Sequence, residues 1–151
     1  ITLRTGLRKH IHGWKSRLNV QKSERGVMTG AEETLTRREN QQQQRAQRAR
    51  ALRQEAERLA QTAAELGVQQ VVLFGSLARG IPALTSDVDL LIVWDTPLDF
   101  VTRTVEIYQQ LQPREAVDLL VYTPDEMTRM ADRPFIRNAL REGTVLYEIG
   151  S

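Results

Sequence analysis

The stretch VVLFGSLARGIPALTSDVDLLIVWD, residues 71–95, decides how the chain is read. A hydrophobic run ends abruptly at Gly75-Ser76, and ten residues later a second run begins with Asp87 and Asp89. Read with a period of two, Val88, Leu90 and Ile92 share one face of a strand, and Asp87, Asp89, Leu91 and Val93 the other. Carboxylates two apart on a strand point the same way, about 7 Å apart. A bare carboxylate inside a sheet is costly unless it is paired or holds a cation.

Outward from that stretch, strands and helices alternate. Residues 69–75 read as a first strand, 76–80 as a short turn or helix and 80–86 as a loop broken by Pro82. Residues 87–95 form the second strand. A helix is expected over 98–111, entered through Thr96-Pro97 and stopped before Pro113. AVDLLVYT (116–123) makes a third strand, which carries Asp118 among aliphatic residues. Helices over 124–132 and 134–142, the latter ending at Gly143, precede a closing strand at 144–148. The expected fold class is α+β, a small mixed sheet with helices packed on it.

Upstream, residues 31–66 hold no Pro and end before Gly67, where a C-terminal cap belongs. Leu52, Leu59 and Leu66, with Ala56 and Ala63 between them, draw one narrow apolar seam. That seam packs on the domain's own sheet or pairs with a second copy of the chain. Residues 28–51 are polar and read as an exposed helical extension of a domain that spans 52–151.

Charge divides the chain unevenly. Residues 1–27 hold seven Arg and Lys against Glu24 alone, +6, which leaves 14 basic and 18 acidic residues downstream, −4. All three lysines and both histidines fall before Met28, the first methionine. Residues 1–27 therefore read as a basic leader outside the natural product, from an over-extended start or an added segment; a basic arm for nucleic acid is the alternative. Mass spectrometry of natively expressed protein distinguishes the two.

Several classes of function are excluded. Without cysteine there are no disulfides, thiolate metal sites or cysteine nucleophiles. Without His after residue 27 the domain has no Ser-His-Asp triad, and neither a P-loop nor a dinucleotide fingerprint is present. No apolar run approaches the roughly 20 residues that span a bilayer, and nothing reads as a signal peptide, so a cytoplasmic location is expected.

A lone DxD on a strand is common, and Gly-Ser after a strand is an ordinary turn. The joint pattern is more specific: strand, Gly-Ser, ten residues, DxD, strand, then a third strand with an Asp. Three carboxylates at the ends of neighbouring strands need positive charge between them, which arginine could supply but a divalent metal supplies more compactly. Oxygen ligands without Cys or His favour Mg²⁺ or Mn²⁺.

These residues resemble the minimal nucleotidyltransferase domain of the polymerase-beta-type superfamily, whose signature is GS-x(10)-DxD plus a later Asp. The likeness runs over about residues 52–149, including PFIRNALREGTVLYE at the end. Two features depart from it: the 31–66 helix is longer than minimal members need, and residues 1–27 match nothing in the family. The resemblance implies that Gly75 and Ser76 bind the β- and γ-phosphates of a nucleoside triphosphate. It implies that Asp87, Asp89 and Asp118 are catalytic and hold two Mg²⁺ ions, with Mn²⁺ as a substitute, and that Asp118 helps activate the incoming hydroxyl. Arg79 and Ser86 are implied as further nucleotide contacts. The implied reaction moves an NMP, AMP from ATP first among them, onto a hydroxyl with release of pyrophosphate.

Small stand-alone members are similar to the antitoxin partners of HEPN-domain toxins, which implies AMPylation of such a protein, encoded by a neighbouring gene. The alternatives are a non-catalytic module that neutralises a toxin by contact and a small-molecule (antibiotic) adenylyltransferase. Nucleic acid suits the acidic domain poorly as acceptor.

Overall fold

The computed structural model describes residues 29–80 and 87–150. The basic leader at 1–27, most of the expected loop (81–86) and Ser86 lie outside the described residues. In chain order the elements are α1 (Gly30–Glu65), β1 (Gln70–Phe74), α2 (Gly75–Ala78), β2 (Val88–Val93), α3 (Phe100–Leu111), β3 (Val117–Tyr122), α4 (Pro124–Arg129), α5 (Pro134–Glu142) and β4 (Thr144–Glu148). By its contacts the chain divides into two units at Gln41/Gln42, within α1.

In the first unit the described residues are the start of α1. Thr29 and Glu32 cap it reciprocally: the Glu32 backbone N–H donates to Thr29 Oγ1, and the Thr29 N–H donates to Glu32 Oε2. The helix stays exposed through residue 47, which the polar sequence leads one to expect.

The second unit is built on a mixed four-stranded sheet of order β3-β2-β1-β4. β1 runs antiparallel to β2 and β4, while β2 and β3 are parallel, joined by α3 as crossover. One face carries the main core. Val71, Leu73, Val88, Leu90, Ile92 and Val121 are covered by Leu52, Ala56, Leu59 and Ala63 of α1 and by Ile107 and Leu111 of α3. The Leu/Ala seam of α1 thus packs on the chain's own sheet. α1 ends as Gly67 turns left-handed (φ +89°), with the Val68 N–H donating to Ala63 O and the Gly67 N–H to Ala64 O. On the opposite face Val72, Leu91 and Val93 meet Ile136 of α5, with Met127 and Met130 at the margin.

Two ionic clamps hold α3 and the loops around it. Glu55 of α1, buried, accepts from both nitrogens of the Arg58 fork and from the Arg114 backbone N–H. Arg58 also donates to the carbonyls of Leu111 and Gln112, at the open end of α3. The Arg58 guanidinium, against the cost of burial, holds the Glu55 carboxyl below its ordinary value.

The second clamp is Arg103, only 4% exposed. It donates from Nε and Nη1 to the carbonyls of Val121 and Leu98 and from Nη2 to both carboxylate oxygens of Glu126, which itself completes a capping box with Thr123 at the start of α4. Arg103→Ala removes the donor to two carbonyls and leaves the partly buried Glu126 carboxylate with only its capping-box bond, so it is expected to destabilise the fold by about 3 kcal/mol, measurable by urea titration.

The entry to α3 differs from the Thr96-Pro97 reading. Asp99 is its N-cap and accepts from the Thr102 backbone N–H, so the helix begins at Phe100. A carboxylate two residues downstream of the proline satisfies an otherwise open helical amide, and that fixes the start.

Candidate active site

The register of the sheet brings the acids together. Asp89 pairs with Asp118 across the parallel β2–β3 ladder and with Phe74 across the antiparallel β1–β2 ladder. Directly opposed residues project to the same side, so both carboxylates stand on the face that carries Val72 and Leu91. Asp87 lies one residue before β2 and is exposed.

Burial first, then the charge of Asp118, a hydrogen bond shared with it and the charge of Asp87 push the Asp89 carboxyl up to about 6. Two acids face each other with too little positive charge between them. Among the described residues, no three His, Cys, Asp or Glu side chains converge on one point. The assembled part of the site is therefore the Asp89–Asp118 pair, with Asp87 adding its charge from the start of the strand.

The chain makes room for this pair at Gly75. Its φ is +77°, a left-handed value that only glycine takes at little cost. A Cβ built there would lie 2.2 Å from Asp89 Oδ2. Gly75 also opens α2, the single turn containing Ser76, and its N-cap Phe74 makes no side-chain cap. Arg79 is the C-cap of that turn and is exposed. The structure thus gathers Asp87, Asp89, Asp118, Gly75, Ser76 and Arg79 at one end of β1, β2 and β3. Ser86 lies outside the described residues.

This donor set offers the carboxylate oxygens a hard divalent cation takes, and such a cation would offset the burial and the neighbouring charges that raise Asp89 to about 6. Next to the acids, Gly75 and Ser76 open the single turn of α2, with the Asp89 carboxylate filling the place of the missing Gly75 side chain.

The polymerase beta nucleotidyltransferase family model matches residues 57–150, from the middle of α1 to the end of β4. The chain belongs to this family. The match contains the acids, Gly75-Ser76 and all four strands, and it makes the protein a nucleotidyltransferase, whose family chemistry uses a nucleoside triphosphate and a divalent metal. A relative from Methanocaldococcus jannaschii, named "Putative protein adenylyltransferase MJ0604", is 34% identical over 82 residues, 53% of this chain and 79% of the relative.

Among solved structures, a "putative nucleotidyltransferase" from Sulfolobus solfataricus superposes with a TM-score of 0.53 at 20% identity, covering 70% of this chain and 88% of the other. That likeness is one of fold. A toxin–antitoxin structure with AMP-PNP, at TM-score 0.45 and 20% identity, covers 63% of this chain and 74% of its own.

Sequence reasoning placed the nucleotidyltransferase motif but missed what supports it. The Arg103–Glu126 clamp on β3 was not anticipated, although Thr123-Pro124-Asp125-Glu126 spells a capping box. Nor was the facing of Phe74 and Asp89, which depends on a register that no local signal fixes.

Proposed function

We propose that this nucleotidyltransferase moves AMP from ATP onto a hydroxyl of a protein, a HEPN-domain toxin encoded by a neighbouring gene, and so acts as an antitoxin. The observation that carries the reading is the Asp89–Asp118 pair packed against the left-handed Gly75, where β1 ends and the Ser76 turn begins. The 34% identity with a relative named for protein adenylylation supports a protein acceptor.

In this reading Asp87, Asp89 and Asp118 hold two Mg²⁺ ions, for which Mn²⁺ substitutes. When bound, the ions neutralise the triphosphate and lower the pKa of the incoming hydroxyl. Gly75 and Ser76 receive the β- and γ-phosphates on backbone N–H groups and the Ser76 hydroxyl, and Arg79 and Ser86 add contacts to the nucleotide. Asp118, the exposed member of the pair, takes the proton of the acceptor hydroxyl. The acceptor oxygen bonds to the α-phosphorus, the bond from that phosphorus to the bridging oxygen breaks, and pyrophosphate leaves with the electron pair.

Within the described residues no helix is long and apolar enough to cross a membrane, which agrees with a reaction in the cytoplasm. The test is incubation of the protein with the HEPN protein, Mg²⁺ and ATP labelled at the α-phosphate. Label on a Ser, Thr or Tyr hydroxyl of the partner is expected. Toxin neutralisation that persists without any label, and in an Asp87→Ala/Asp89→Ala variant, would instead make the chain a binding module.

A further inference from the structure

An exposed aromatic residue stands against Phe74 at the end of β1. Phe135, in the first turn of α5, is 52% exposed although its neighbour Ile136 is buried. Its ring meets Phe74 edge to face, with centroids 5.7 Å apart and planes at 87°. Phe74 is the residue directly opposite Asp89, on the same side of the sheet, and it immediately precedes Gly75.

The ring is held in place from below. Ile136 belongs to the apolar cluster of that face with Val72, Leu91 and Val93. At the other end of α5, a Cβ on Gly143 would come within 2.9 Å of Ala139 O, Val72 Cγ1 and Leu73 O. The helix carrying Phe135 is thus fixed against β1, the strand that ends at Phe74 just before Gly75. Single exposed apolar side chains are ordinary on a protein surface, and shielding Phe74 would account for an aliphatic residue here. It does not account for a half-exposed ring braced by a second ring, Phe74, that stands directly opposite Asp89 and next to Gly75.

We propose that Phe135, buttressed by Phe74, is the platform on which the base of the bound nucleotide stacks. This rests on the nucleotide reading of the Gly75–Asp89–Asp118 site and extends it to the other end of the substrate. Stacking on an aromatic ring is tolerant of sequence because every base has a π face, and removing such a ring weakens binding by about tenfold to a hundredfold per base. The platform therefore predicts affinity for the base without strong choice among bases.

The test compares ATP with inorganic tripolyphosphate, which has the phosphates but no base, by calorimetry in Mg²⁺. The proteins are the wild type, Phe135→Leu, which keeps apolar contact with Phe74, and Phe135→Trp. Phe135→Leu is expected to weaken ATP about tenfold or more and leave tripolyphosphate unchanged, GTP is expected to lose as much as ATP, and Phe135→Trp is expected to retain affinity. Unchanged ATP affinity in Phe135→Leu overturns the platform alone, even where that variant loses its protein partner. Equal weakening of ATP and tripolyphosphate overturns it too, because the ring would then only support the phosphate site. A wild type that binds tripolyphosphate as tightly as ATP gives the base no contact and also overturns it. A wild type that binds neither removes the nucleotide reading itself.

Discussion

Gly75→Ala is expected to lose nucleotidyl transfer by at least a hundredfold while the protein still folds. The added Cβ would stand 2.2 Å from Asp89 Oδ2 and 3.1 Å from its Cγ, at a φ of +77°. Left-handed backbone costs an alanine about 1–2 kcal/mol, which lowers Tm by several degrees in a domain of this size. The clash falls on the end of a side chain, so Asp89 can turn aside at little further cost to stability. In doing so it leaves the position opposite Asp118. Positioning errors of about 1 Å can cost a hundredfold in rate, and under the proposed function a Cβ at Gly75 would also crowd the phosphates. Steady-state rates and thermal melts on one preparation check both halves, and a variant equally depressed in both would mean that Gly75 serves the fold alone.

Asp89→Asn is expected to be catalytically dead, with loss on the order of a thousandfold or more, and yet no less stable than the wild type when metal is absent. The stability half follows from the raised pKa, about 6 in the folded protein against about 3.9 in an unfolded chain. Between these values the folded state binds more protons than the unfolded one. The contribution of Asp89 to metal-free stability therefore falls as pH rises from about 4 to about 6 and stays at the lower level above that. The full shift corresponds to about 3 kcal/mol, but Asp89 is only half buried, and solvent screening reduces the expected difference to about 1 kcal/mol. Asparagine removes this titration, so the stability of the wild type relative to the variant should fall by about 1 kcal/mol across this range. Urea titrations at pH 4.5 and 7.5, in chelator, read the difference.

Much of this was legible in the sequence because strands and helices write different periods. Val88, Leu90 and Ile92 do face one core and Leu91 and Val93 the other, as alternation requires. Leu52, Ala56, Leu59 and Ala63 mark the face of α1 that is buried, and Gly67 closes that helix. Such local regularities survive folding because they are what the chain buries.

What could not be read depends on pairing between distant residues. Nothing local says that Asp89 aligns with Asp118 rather than with Val117 or Leu119, and a shift of one residue would turn the acid to the other face. The approach of Gly75 to Asp89 follows from the same register. Arg103 and Glu55 were also hidden, because a buried charge looks like any other charge in a sequence. Only the three-dimensional arrangement shows the carbonyls of Val121 and Leu98 and the backbone N–H of Arg114 that satisfy them.

The central claim, that the acids at the ends of β2 and β3 form a metal–nucleotide site, is tested most directly by thermal melting of wild type and Asp89→Asn with and without Mg²⁺ and ATP. In chelator the variant should melt at or above the wild type. With ligand at about a hundred times its dissociation constant the wild type should gain about 2.7 kcal/mol, and the variant little, so the order reverses. A variant that is clearly less stable in chelator, or one that gains as much from Mg²⁺ and ATP as the wild type, would contradict the assignment.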